Sequence, residues 1–197
     1  MLRKERSVLT KNKLFETAVK LIKEKGYDEV TVSEICEKSG VAKGTFYVHY
    51  KSKEDIVKES YYSDMREFVL KKYEELVCKN RKIDIKSKIE KFIISEFMFA
   101  DHVGYMVTCR AYVTNLSECI TGDSKHFERR NFTDVLKILI SEGINESIFE
   151  TEQTKEEIFL YLESFVRGIM ASWCFSSGKF DIVKEGKKYT DEILRKL

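Results

Sequence analysis

Apolar positions in this chain recur at spacings of three and four, and the runs are separated by glycine or by charge, never by proline. Leu14, Phe15, Ala18, Leu21 and Ile22 trace one stripe, which predicts a helix from Lys11 to Lys25. Thr10 would cap it, Leu9 and Leu14 would form a hydrophobic staple, and Gly26 would stop it. Thr31 with Glu34 reads as a capping box and Val30 with Ile35 as a second staple, opening a short helix from Val32 to Lys38 that Ser39-Gly40 ends. A third helix is expected from Ala42 to Tyr50. Ser52 then starts a long amphipathic fourth helix, with Asp55 in its first turn, reaching about Cys78. Beyond a charged break at Lys79–Lys82, helices are expected over Asp84–Ala100, Asp101–Glu118 and Asp123–Glu142, the last stopped by Gly143. A loop from Ile144 to Thr154 precedes two final helices, Lys155–Ser177 and Asp181–Lys196, separated by Gly178. The pattern is all-α. It divides into an N-terminal domain at 1–53, with a helix-turn-helix at about 30–49, and a helical body at 54–197, joined by the fourth helix itself.

Composition narrows the function classes. The 197 residues are 43% hydrophobic and 35% charged, with no proline and 9 glycines, as in an ordinary globular chain. No run is read as long and apolar enough to span a membrane, and the charged N-terminus lacks an apolar leader core, so a cytoplasmic protein without membrane partners is expected. The 5 cysteines are scattered, with no CxxC pair, which argues against a disulfide framework or a structural zinc site. The net charge of +2 says little, but its distribution says more. Residues 1–53 hold 12 Lys and Arg against 7 Asp and Glu, whereas 54–197 hold 23 against 26. A basic head on a faintly acidic body suits contact with a polyanion.

The third helix supplies the candidate chemistry. Phe46 and Tyr50, four apart, share one face and form a small core with Val41 and Ile35. Gly44, Thr45 and Val48 then project outward, flanked by Lys43, Tyr47 and His49. Lys43 can reach guanine or phosphate, Thr45 and Val48 can touch a thymine methyl, and Gly44 lets the helix approach closely. Tyr47, His49 and Lys53 would anchor phosphates around this patch.

The run Thr31-Val32-Ser33-Glu34-Ile35-Cys36-Glu37-Lys38-Ser39-Gly40-Val41-Ala42-Lys43-Gly44-Thr45-Phe46-Tyr47-Val48-His49-Tyr50-Lys51-Ser52-Lys53-Glu54 resembles the N-terminal signature of the TetR family. The resemblance implies an Ω-shaped, all-helical homodimer that represses transcription and releases DNA when its C-terminal body binds an inducer. By position it implies DNA contacts from Thr31, Lys43, Thr45, Tyr47, His49 and Lys53. Ala42 departs from the Ser or Thr common there, removing a side-chain cap worth about 1 kcal/mol.

For the body, Phe165, Ile169, Trp173, Ile182, Tyr189 and Ile193 are candidate dimer contacts, because the last two helices carry apolar residues on more than one face, including Leu160, Ala171 and Phe175. Gly168 would allow close helix approach. An inducer pocket is assigned to Phe97, His102, Tyr105, Arg110 and Tyr112 among the aromatic- and Met-rich middle helices, which include Phe127 and Phe132, and its ligand would be hydrophobic or amphipathic. His102 and Cys109, with Asp101 and Cys119 nearby, lack tight ligand spacing, so no metal is expected, and no cofactor is. No triad or phosphate loop supports an enzyme. The rival class is a DNA-bound structural or cell-division factor on the same scaffold, needing no small ligand.

Overall fold

Where the pattern places a helix start at Thr10, the chain is already helical. The computed structural model describes residues 3–78, 83–122 and 129–197, and its first helix, α1, spans Arg3–Lys25. Thr10 lies inside α1 and donates its hydroxyl back to the Arg6 carbonyl at 2.8 Å, so it caps nothing, and Leu9 is a solvent-facing helical residue rather than half of a staple. No glycine or proline interrupts this stretch, and Glu5 in the first turn complements the helix dipole. Gly26, at φ +90°, does end the helix.

Next come α2, Val32–Ser39, α3, Lys43–His49, and α4, Lys53–Cys78, where Ser52 accepts from the Asp55 amide at 3.2 Å. Helix α5, Ile85–Val103, starts on Asp84, which takes the Ser87 amide at 2.8 Å. The next break falls at Gly104, φ +86°, four residues past the expected end at Ala100, and α6 covers Tyr105–Thr121. The Lys79–Lys82 break, the start of the helix expected at Asp123, and Phe127 lie outside the described residues. A 3-10 turn at Asn131–Thr133 leads into α7, Asp134–Asn145. Gly143 does not stop α7. It sits within the helix against Phe149, whose Cε2 would lie 2.3 Å from an added methyl. Helix α8, Lys155–Phe175, opens with a capping box where the expected loop ends: Thr154 accepts from the Glu157 amide, and Glu157 accepts from the Thr154 amide at 2.8 Å. Helix α9, Ile182–Leu194, is capped by Asp181. All nine of these elements are α-helices, and the described residues contain no strand.

Packing divides the chain differently from the expected boundary at 53. One unit comprises Met1–Asp64 with Val103–His126, and the other Met65–His102 with Phe127–Leu197. In the first, Leu14, Ile22, Ile35, Phe46, Tyr50 and Ile56 are buried, and α6 joins the reading head rather than the body. Asn115 of α6 donates to the Tyr62 hydroxyl at 2.6 Å, and Lys58 pairs with Glu118 at 3.0 Å. In the second unit Phe92, Phe97, Leu136, Ile158 and Leu162 form the core, each contributing about 1.5–3 kcal/mol by leaving water. Gly186 of α9 is part of that packing, because the Phe97 ring occupies the space a side chain would need.

One expectation is corrected by α8. With a mean hydropathy of 1.3 over its apolar window, this helix is long and apolar enough to cross a membrane by composition alone. The excess arises because Ile158, Leu162, Val166 and Met170 line the subunit core while Leu160 and Phe175 stand on another face.

Candidate nucleic-acid interface

Local chemistry sets α2 and α3 at a tight turn. Thr31 accepts from the Glu34 amide at 3.2 Å, which forms half of the expected capping box. The Glu34 carboxylate turns instead to the Lys25 ammonium. At the other end Gly40 adopts φ +64°, a left-handed conformation costly for residues with a Cβ, and the Val41 amide closes on the Cys36 carbonyl at 3.0 Å. Two residues later Ala42 is the N-cap position of α3, which begins at Lys43, and supplies no side-chain cap.

Phe46 and Tyr50 are buried beneath α3, with their rings 5.8 Å apart, and Ile35 lies in the same core; Val41 is only half-buried. Burial pushes the Tyr50 hydroxyl up to about 12. The opposite face is open. Lys43, Gly44 and Thr45 are exposed, Tyr47 is 58% exposed and Val48 79%. A methyl group added at Gly44 would meet no atom within 4 Å.

Around that row the remaining candidates differ. Thr31 is exposed and uses its oxygen as a cap, which leaves its hydroxyl hydrogen to donate. His49 is half-buried, and burial, reinforced by the Lys11 charge, holds its pKa below the ordinary 6.5, so the ring is neutral at pH 7. Lys53 is turned toward its own chain. Its ammonium donates to the Tyr27 carbonyl and, at 2.8 Å, to the Val30 carbonyl, and it lies 4.2 Å from the Tyr27 ring centre. Two basic residues escape sequence reading because only tertiary packing brings them here. Lys11 of α1 sits 5.6 Å from the Tyr50 ring, beside His49, and the Lys13 ammonium reaches the turn at Gly40.

The segment between α1 and α2 is held from two sides. Besides Lys53, the Arg110 guanidinium of α6 stacks 4.2 Å from the Tyr27 ring centre and meets Asp28 at 3.3 Å. Glu54 accepts the Tyr27 hydroxyl. A cleft of about 360 Å³ lies here, lined by residues that include Tyr27, Tyr105, Met106, Cys109 and Arg110.

Of the five residues assigned to an inducer pocket, two fall in one unit and three in the other. Phe97 is fully buried against Gly186 and Phe165, and His102 stacks on Phe68 with ring centres 5.2 Å apart, both in the second unit. Tyr105 and Arg110 line the cleft of the first unit, to which half-buried Tyr112 also belongs. His102 and Cys109, seven apart in sequence, likewise fall in different units. Helical periodicity cannot see that Gly104 breaks the helix between them.

Of the dimer candidates, Trp173 and Ile182 are corrected to the subunit's own core. Both are buried, and the Trp173 indole donates to the Phe180 carbonyl at 2.9 Å. Phe165 packs edge-on against Phe97, Ile169 and Ile193 are half-buried, and Tyr189 is exposed. The open apolar face of α8 instead carries Leu160, 60% exposed, and Phe175, 89% exposed, with Ser164, Gly168 and Ala171 between them. The signal was present in the sequence, where Leu160, Ala171 and Phe175 already stood off the main stripe.

The profile of bacterial regulatory proteins, tetR family, matches residues 14–60, which contain α2 and α3. The chain is 26% identical over 179 residues to the fatty acid metabolism regulator protein of Bacillus subtilis, covering 86% of each. It is 26% identical over 188 residues to the negative transcriptional regulator IcaR of the biofilm operon icaADBC of Staphylococcus epidermidis, covering 93% of this chain and 94% of that one. Among solved structures, the fatty acid degradation regulator FadR from Bacillus halodurans superimposes with a TM-score of 0.66 at 22% identity, over 94% of both chains. FadR from Bacillus subtilis in complex with stearoyl-CoA does so with a TM-score of 0.65 at 21% identity, over 94% of this chain and 98% of that one.

Proposed function

Because this chain belongs to the tetR family of bacterial regulatory proteins, we propose that it is a ligand-released repressor that binds a palindromic operator as a homodimer. The observation that carries the proposal is the division of α3 into a buried aromatic face, Phe46 and Tyr50, and an open face of Lys43, Gly44, Thr45, Tyr47 and Val48. In the major groove, Lys43 reads guanine or phosphate, Thr45 and Val48 meet thymine methyls, and Gly44 admits the helix. Thr31, Tyr47 and neutral His49 donate to phosphates, Lys11 adds a charge at the same edge, and Lys53 contributes its remaining hydrogen while bracing the α1–α2 segment. One such helix reads too few base pairs, so two subunits combine through the α8 face of Leu160, Gly168 and Phe175, together with Tyr189 of α9.

The inducer is an amphipathic small molecule, and a long-chain acyl thioester is the first candidate, suggested by the stearoyl-CoA of the Bacillus subtilis FadR structure. Release needs a path to the reading head, and Arg110 supplies one. Moving α6 pulls on Tyr27 and Asp28, and thereby on the segment that leads into α2. A coupling of about 1–3 kcal/mol suffices. No observation favours the rival structural or cell-division factor.

The test is fluorescence anisotropy on the DNA upstream of the protein's own reading frame, with stearoyl-CoA and free stearate as competitors. Salt-sensitive binding released by the thioester supports the whole proposal. Binding that no acyl compound releases removes the acyl inducer alone, and failure to bind removes the proposed target.

A further inference from the structure

The body contains a group of charges that DNA reading does not use. Glu96 of α5, Arg130 just before the 3-10 turn, and Glu163 of α8 all lie within the second unit, with side chains 0%, 5% and 2% exposed. Arg130 donates to Glu96 Oε2 at 2.7 Å and to Glu163 Oε1 at 3.0 Å. Glu163 has a second partner, Arg167, at 2.9 Å from its other oxygen. Glu96 has none. Its Oε1 is buried and receives no hydrogen bond, and the Arg130 Nε hydrogen is likewise unmatched. Phe132 lies 5.2 Å from the guanidinium, and the Met65 sulfur of α4 stands 3.6 Å from its Nη1. Among the described residues the charges acting on Glu96 are Arg130 and, from α8, Glu163 and Arg167.

An arginine shared between two buried carboxylates fully compensates only one of them. Here the geometry favours Glu163, which holds two guanidinium partners, over Glu96, which holds one through a single oxygen. An ionised carboxylate with a bare, desolvated oxygen costs several kcal/mol, and a proton on that oxygen removes most of the cost. We infer that Glu96 is a reversible proton-binding site in the body, the proton residing on Oε1 while Oε2 keeps its bond to Arg130. Burial is the main cause that raises its pKa from the ordinary 4.5 to about 7, despite the opposing pull of Arg130. The regulator's body thus gains a buried negative charge, among α5, α8 and the Met65 turn of α4, as the pH rises through neutrality.

The sign of the effect follows. The unfolded chain releases this proton near 4.5 and the folded chain near 7, so stability falls as pH rises between those values and levels off above. Thermal unfolding of the full-length protein at fixed concentration, compared with Glu96→Gln from pH 5.5 to 7.5, isolates the group. The wild-type unfolding constant is expected to rise roughly twentyfold relative to the variant across that range. A second readout needs no variant. In protein labelled with carboxyl-¹³C glutamate, infrared spectra should show a protonated-acid C=O band at pH 6 that fades by pH 8. Parallel pH profiles for wild type and Glu96→Gln overturn the inference; should the variant not fold, absence of that band overturns it.

Discussion

Four helical glycines divide into two pairs, and the division separates what the fold needs from what a partner needs. In α9 and α7, Gly186 and Gly143 exist because the Phe97 and Phe149 rings occupy the space of a side chain. In α3 and α8, Gly44 and Gly168 face empty space, with ordinary helical backbone and no neighbour within 4 Å of an added methyl. A glycine inside a helix costs about 0.5–1 kcal/mol relative to alanine. The first pair recovers that cost in core packing. The second recovers nothing within the subunit, and both of its members lie on faces with exposed apolar neighbours: Val48 beside Gly44, and Leu160 and Phe175 flanking Gly168. The proposed approach of DNA in one case and of a second subunit in the other would account for both.

Substitutions can break this contrast. The largest effect is expected at Gly168. Gly168→Lys has room within the monomer but places an unpaired charge in the proposed interface, so sedimentation should show the dimer dissociation constant rising by about 100-fold or more while helicity is kept. Gly186→Ala should act on the fold instead, lowering stability by about 1–3 kcal/mol in chemical denaturation because the buried Phe97 ring must shift. Gly44→Ala should split the two properties. Stability rises by about 0.5–1 kcal/mol, whereas DNA affinity by anisotropy falls about tenfold. A Gly44→Ala protein with undiminished affinity would remove the reason given for that glycine.

Much of this was legible in the sequence, and the gaps have physical causes. The α2–α3 turn could be read because its instructions are local: a cap at Thr31, a left-handed Gly40, and aromatics four apart. The start of α1 could not, since a mid-helix threonine and an N-cap threonine look alike until the backbone preceding them is known. The exposed apolar face of α8 was half legible. Periodicity identifies a second apolar face on α8 but cannot say which face the subunit buries, so Trp173 and Ile182 were assigned outward although both are core. The pocket assignment spans the break at Gly104, which helical periodicity does not register. Lys11, the Arg110–Tyr27 stack and the partners of Glu96 are tertiary facts with no local signature.

The central claim is that the open row of α3 exists to contact DNA. The direct measurement is the affinity of Lys43→Ala/Tyr47→Ala for the upstream DNA across a salt series, alongside its melting temperature. The account predicts an affinity about 100-fold weaker, a salt slope shallower by about 1, and an unchanged melting temperature, because neither side chain is buried. Wild-type affinity and slope in a protein that remains folded would contradict it.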